Sequence, residues 1–168
     1  EACEVIRALW THHRSNFSGR HYHLFDAPLD PKPSQKPHPE LMIGGGGEKK
    51  TLRTVARYAD QWNVFGDPAT VARKDAILRE HCAAVGRNPE EIELTCSFPI
   101  LIRDDETVAA AAYAERMAHN GIEAMDGPPV LLGAPARIAD RLRPYVELGF
   151  RTTIVRLPSA RTRLPPSR

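Results

Sequence analysis

From Leu41 onward, short apolar runs alternate with helical patterns, and glycine or proline punctuates nearly every junction. This rhythm constrains the fold more than any other feature. Leu41-Met42-Ile43 reads as a strand closed by Gly44-Gly45-Gly46-Gly47. Glu48 to Ala59 reads as a helix with Leu52, Val55, Ala56 and Ala59 on one side. Gln61 to Phe65 is a second strand, closed by Gly66. Asp67-Pro68 joins an N-cap to a first-turn proline and opens a helix that Gly86 stops after Val85. Ile92 to Ile102 is a third strand region. Asp104 or Asp105 caps an alanine-rich helix that stops at Gly121. Pro135 opens a helix ending at Gly149, and Pro144 inside it is expected to kink or shorten it. Thr152 to Leu157 is a fourth strand. Strands and helices alternating at this spacing mean βα units around a parallel sheet. Right-handed crossovers allow either an open sheet or an arc of a barrel.

The first forty residues read differently. Ala2, Val5, Ile6, Leu9 and Trp10 recur at helical spacing. Phe17 to Phe25 is hairpin-like, with Ser18-Gly19 as its turn. Pro28, Pro31, Pro33, Pro37 and Pro39 make Ala27 to Glu40 an extended connector lying against something else.

Composition narrows the classes of function. Charged residues are 26% and the hydrophobic set is 42%, which excludes wholesale disorder. No apolar run approaches the roughly 18 residues that span a bilayer. A net charge of +2 is too balanced to imply a nucleic-acid partner. Cys3, Cys82 and Cys96 are odd in number and widely spaced, which fits a reduced, cytoplasmic setting and no zinc motif.

The glycine run carries the chemistry. It follows a strand and precedes a helix, so four residues without Cβ let backbone approach a ligand. Unsatisfied N–H groups and the helix dipole there favour an anion, most simply a phosphate. It is not a Walker A loop, because Glu48 interrupts the Gly-Lys-Thr order. It is not the dinucleotide fingerprint, because Lys49 stands at the third glycine position. The alternative is a tight turn with no ligand, and Glu48 argues for it by offering the dipole its own carboxylate. Asn63, Phe65 and Gly66 end the neighbouring strand, where parallel β/α folds bind ligands. Their alternative reading is ordinary core and turn.

Other candidates weigh less. His12, His13, His21 and His23 lack a recurring carboxylate or thiolate partner, so no metal site is assigned. Cys96-Ser97 has no nucleophile elbow and reads as core. Arg103 and Arg156 end strands; each either faces a ligand or pairs with a carboxylate such as Asp104 or Asp105.

Several stretches in one order are familiar. They are Glu-Val-Ile-Arg-Ala-Leu-Trp (4–10), Phe-Ser-Gly-Arg-His-Tyr (17–22), Ile-Gly-Gly-Gly-Gly-Glu-Lys-Lys-Thr-Leu (43–52) and Ala-Arg-Tyr-Ala-Asp-Gln-Trp-Asn (56–63). With Gly86-Arg87-Asn88-Pro89 and the Gly133 to Leu142 helix entry, the chain resembles the C-terminal half of the luciferase-like monooxygenase superfamily. The branch it resembles comprises oxidoreductases dependent on coenzyme F420. The resemblance implies the C-terminal half of a (β/α)8 TIM barrel over residues 1–158, with about four βα units and an N-terminal hairpin and Pro-rich insertion. A basic tail, 159–168, would follow. It implies a cofactor, coenzyme F420 or alternatively FMN, at the carboxyl ends of the strands, and a small-molecule substrate. Carried over by position, it marks Gly44, Gly45, Gly46 and Gly47 as holding the cofactor phosphate. It marks Asn63, Phe65 and Gly66 as contributing beside them. It marks no catalytic acid or base, because the first four βα units are where the reacting ring would sit. A full barrel takes about 250 residues, so the 168 present read as part of one. A half-barrel of this kind is expected to self-associate as a homo-oligomer, and a non-catalytic truncated product is the alternative to an enzyme.

Overall fold

The computed structural model describes residues 1–121 and 129–156. The expected end of the last strand at Leu157 and the basic tail 159–168 lie outside them. Two compact units divide the chain, one of residues Glu1–Leu41 and one starting at Met42.

In the first unit, helix α1 (Ala2–Thr11) precedes an antiparallel hairpin of β1 (Ser15–Ser18) and β2 (His23–Ala27). The hairpin connection is longer than the expected Ser18-Gly19 turn. It takes Gly19 to Tyr22 and is closed by the Gly19 N–H donating to the Tyr22 carbonyl at 2.9 Å. The reason is a carboxylate. Glu1 accepts from the Arg20 and His21 N–H groups at 2.9 and 2.8 Å, so the loop's donors are satisfied outside the ladder. Those bonds hold the Glu1 carboxyl below its usual range. His21 therefore lies in the connection and shares no strand face with His23. The proline-rich stretch lies along α1: Lys32 Nζ donates to the Leu9 carbonyl at 2.8 Å, and His38 stacks on Trp10.

The second unit is a parallel sheet with intervening helices. Its order is β3 (Met42–Gly44), α2 (Thr51–Tyr58), β4 (Gln61–Val64), α3 (Pro68–Ala84), a 3-10 turn at Pro89–Glu91 and β5 (Glu93–Ile102). Then come α4 (Glu106–His119), β6 (Leu131–Gly133), α5 (Pro135–Glu147) and β7 (Thr152–Arg156). β3 pairs with β4 and β4 with β5. β5 pairs further with β7 through Thr95–Pro99 and with β6 through Ile100–Ile102.

Three expectations change. The sheet has a fifth strand, β6, whose three residues are too few to show a period of two. Helix α2 starts at Thr51 and not at Glu48, because residues 48–50 form a turn. Pro144 neither ends nor shortens α5, which continues to Glu147. The carbonyl that loses its donor belongs to exposed Asp140, where water can replace the missing bond.

Alternation along β5 separates two faces. Cys96 and Phe98 are fully buried against the helices, in a core with Leu52, Val55, Trp62, Val71 and Leu78. Phe98 meets Tyr145 of α5 edge-on at 4.8 Å. Thr95 and Ser97 point to the opposite face, towards Asn63.

Candidate functional site

The carboxyl ends of β3 and β4 lie side by side, with Gly44 in register with Asn63. Beyond Gly44 the chain turns sharply at Gly45, whose φ of +119° suits glycine alone. Two successive residues of β4 hold Gly45. Its N–H donates to the Asn63 carbonyl at 2.9 Å, and its own carbonyl accepts from the Trp62 indole at 2.8 Å. The Gly45 N–H is thus engaged within the protein. Among the described residues, nothing accepts from the N–H groups of Gly46 and Gly47. The Gly47 carbonyl accepts from Leu52 at 3.0 Å and ties the loop to the first turn of α2. A Cβ on Gly47 would lie 2.8 Å from Thr51 Oγ1, so this hydroxyl packs against the loop.

The two helices that follow these strands begin differently. Asp67 caps α3, accepting from the Thr70 N–H at 2.8 Å and its hydroxyl at 3.1 Å, and Pro68 brings no N–H. These bonds hold the Asp67 carboxyl below its usual range. Helix α2 has no side-chain cap and no acidic residue in its first turn. The positive end of α3 is met by its own carboxylate, and that of α2 is met by no side-chain cap.

Glu48 does not supply that anion. Its carboxylate pairs with Arg73 of α3, and its carbonyl accepts from His81 Nε2 at 2.8 Å. One residue beyond Arg73, the half-buried Lys74 reaches over the loop. A Cβ built on Gly46 would sit 2.2 Å from Lys74 Nζ. Lys74 and Thr51 were not singled out from the sequence. The available signal was the helical stripe Lys74, Ile77, Leu78 and His81, in which a cation interrupts an apolar face.

The other expected residues take distinct places. Asn63 is oriented by its strand neighbours: its Nδ2 donates to Thr95 Oγ1 at 2.9 Å, and its Oδ1 accepts from Ser97 at 3.1 Å. Thr95 Oγ1 in turn donates to the Trp62 carbonyl at 3.2 Å. Phe65 falls just outside β4 and is half exposed. Gly66 has a φ of +149°, and its carbonyl accepts from the Tyr145 hydroxyl at 2.9 Å. Burial pushes that phenol up to about 12. Cys96 is core, and burial raises its thiol, whereas Ser97 belongs to the polar row with Asn63. Arg103 turns back to the Ile102 carbonyl at 2.6 Å, and Asp105 is engaged in capping α4 through Val108. Arg156 ends β7 beside Pro99 of β5, exposed. Among the described residues, no group of three or more His, Cys, Asp and Glu could hold a metal ion. No helix among them is long and apolar enough to cross a membrane.

The family profile described as luciferase-like monooxygenase matches residues 1–128. The FMNH2-dependent dimethylsulfone monooxygenase of Pseudomonas putida is 29% identical over 127 residues, which are 76% of this chain and 34% of that protein. The F420-dependent hydroxymycolic acid dehydrogenase of Mycobacterium tuberculosis is 26% identical over 123 residues, 73% of this chain and 33% of that protein. Among solved structures, an F420-dependent secondary alcohol dehydrogenase bound to an F420–acetone adduct superposes with a TM-score of 0.76 at 18% identity. It covers 94% of this chain, which spans 55% of that one. The chain thus spans about a third of these two curated relatives and about half of that barrel.

Proposed function

The chain belongs to the luciferase-like monooxygenase family, and from that premise we propose that it forms the phosphate-holding part of a flavin- or deazaflavin-dependent oxidoreductase. The specific reading is hydride transfer between coenzyme F420 and a small organic substrate. The observation that carries the phosphate-holding role is the pair of unengaged N–H groups at Gly46 and Gly47, placed before an uncapped helix. The residues fit a phosphate ester. The N–H groups are unengaged at two consecutive positions, the Thr51 hydroxyl packs against the loop, and the loop's own carboxylate, Glu48, is paired with Arg73. When bound, the cofactor ring supplies the redox chemistry. The residues of this chain bind and orient: the loop holds one end of the cofactor, and the row Asn63, Thr95 and Ser97 keeps the adjoining strand ends in register. Phe65, half exposed beside them, offers an apolar surface to a planar ring.

A second reading, an FMN-dependent monooxygenase, is favoured by the likeness to the dimethylsulfone monooxygenase, whose name specifies FMNH2. Titrating the complete protein with F420 and with FMN separates the two. Tight FMN binding without F420 binding sinks the hydride-transfer reading and selects the second. Gly46→Asp tests the loop itself, because it adds a carboxylate where the phosphate is placed. Unchanged affinity for either cofactor would remove the loop from the site.

A further inference from the structure

We propose that Lys74 reads the charge of the cofactor's phosphate, and that residue 46 is glycine because the Lys74 ammonium occupies the space a side chain would fill. The inference rests on the reading that Gly46 and Gly47 receive a phosphate ester, and it adds the side chain that recognises it.

The geometry is specific. A Cβ at position 46 would meet Lys74 Nζ at 2.2 Å and its Cδ and Cε at 3.1 Å each. The end of a long side chain on α3 is therefore laid directly over the loop. It is not placed there to neutralise a carboxylate, since Glu48 of the same loop is paired with the neighbouring Arg73. His81, two turns along α3, fixes the loop from the same side through the Glu48 carbonyl. The ammonium, two unengaged N–H groups and the open end of α2 thus share one small region. Each is a donor or a partial positive charge, so together they form an electropositive spot matched to a phosphate dianion. At the adjacent strand end the start of α3 is already capped by its own Asp67.

Gly46 and Lys74 then behave as one device. Gly46→Ala places a methyl group where the ammonium lies. The atoms it meets are the far end of a flexible side chain, so Lys74 moves away and the fold is kept. Gly46→Ala and Lys74→Gln should therefore share a phenotype although they lie on different elements.

The test compares phosphorylated and phosphate-free ligands. The complete protein is titrated with FMN and riboflavin, and with F420 and its phosphate-free deazaflavin nucleoside, by fluorescence at low and high salt. Thermal melts of every variant check folding. The wild type is expected to prefer the phosphorylated ligand. Lys74→Gln should weaken that ligand by roughly tenfold, leave the phosphate-free ligand unchanged and flatten the salt dependence. Gly46→Ala should do the same at an unchanged melting temperature. If Lys74→Gln weakens both ligand forms equally, or neither, the role of Lys74 is overturned while the phosphate loop survives. If the wild type binds both forms equally, or binds no flavin or deazaflavin, the phosphate-loop reading fails, and the role of Lys74 fails with it.

Discussion

Trp62 donates its indole N–H to the carbonyl of Gly45 at 2.8 Å, across the boundary between a buried strand and the glycine loop. The ring is fully buried, so one side chain anchors the core and fixes the carbonyl just before the two unengaged N–H groups. The hydrophobic core beneath the loop thus helps set its orientation through the indole nitrogen, beside the Gly45 N–H bond to the Asn63 carbonyl.

Trp62→Phe should therefore act on both stability and binding. It keeps an aromatic ring but leaves the Gly45 carbonyl without its donor, at a cost of about 2 kcal/mol. Urea unfolding measures the first effect, and flavin titration should show weaker binding. A variant that loses stability yet binds as tightly as wild type would show that the bond does not orient the loop.

Gly45→Ala and Gly46→Ala should differ sharply, although the residues are adjacent. At Gly45 the φ of +119° forces any side chain into a strained backbone, with a Cβ 3.4 Å from Thr51 Cγ2. A loss of at least about 1 kcal/mol is expected. At Gly46 only the flexible end of Lys74 must move. Matching melting temperatures for the two variants would contradict this difference.

Tyr145 should give the second unit an alkaline limit. Its pKa is raised from 10 to about 12, first by burial. The folded state therefore keeps its proton while the unfolded state loses it. The contribution is fully present below about pH 10 and is lost as pH rises towards 12. Tyr145→Phe removes this slope, and at neutral pH it costs about 1 kcal/mol by leaving the Gly66 carbonyl without a donor. Denaturant midpoints between pH 8 and 11 check both effects, and parallel wild-type and variant curves would refute the first.

Asp67 should have the opposite sign. Its pKa is lowered chiefly by the Thr70 N–H, so its cap is complete above the ordinary carboxylate range and is lost as pH falls through the depressed value. Asp67→Ala should melt at a lower temperature than wild type at pH 7. The gap should close on acidification towards pH 3, and a gap that stays constant would show that the carboxylate charge is irrelevant to the cap.

Most of the sheet was readable because each strand is followed by a residue with a single meaning. Gly44, Gly66 and the Asp67-Pro68 pair mark where β3 and β4 end and α3 begins, and the structure places these boundaries within a residue or two. β6 was not readable, since three residues show no alternation. The start of α2 was misplaced because Glu48, Lys49 and Lys50 favour helices, while the loop bends them into a turn. At the site, the glycines were legible and their hydrogen-bonding states were not. Which N–H remains open depends on Asn63 and Trp62, and the cation over the loop comes from Lys74, 28 positions beyond Gly46. Those relations exist only once α3 packs on α2.

Strand β5 pairs with β4 through Glu93–Cys96, with β7 through Thr95–Pro99 and with β6 through Ile100–Ile102. Only Thr95 and Cys96 are flanked on both sides at once. At these two residues the β4 and β7 ladders overlap on one strand. Parting the β4 side, which carries the glycine loop, from β7 within the sheet means breaking one whole ladder on β5, four pairs to β4 or five to β7.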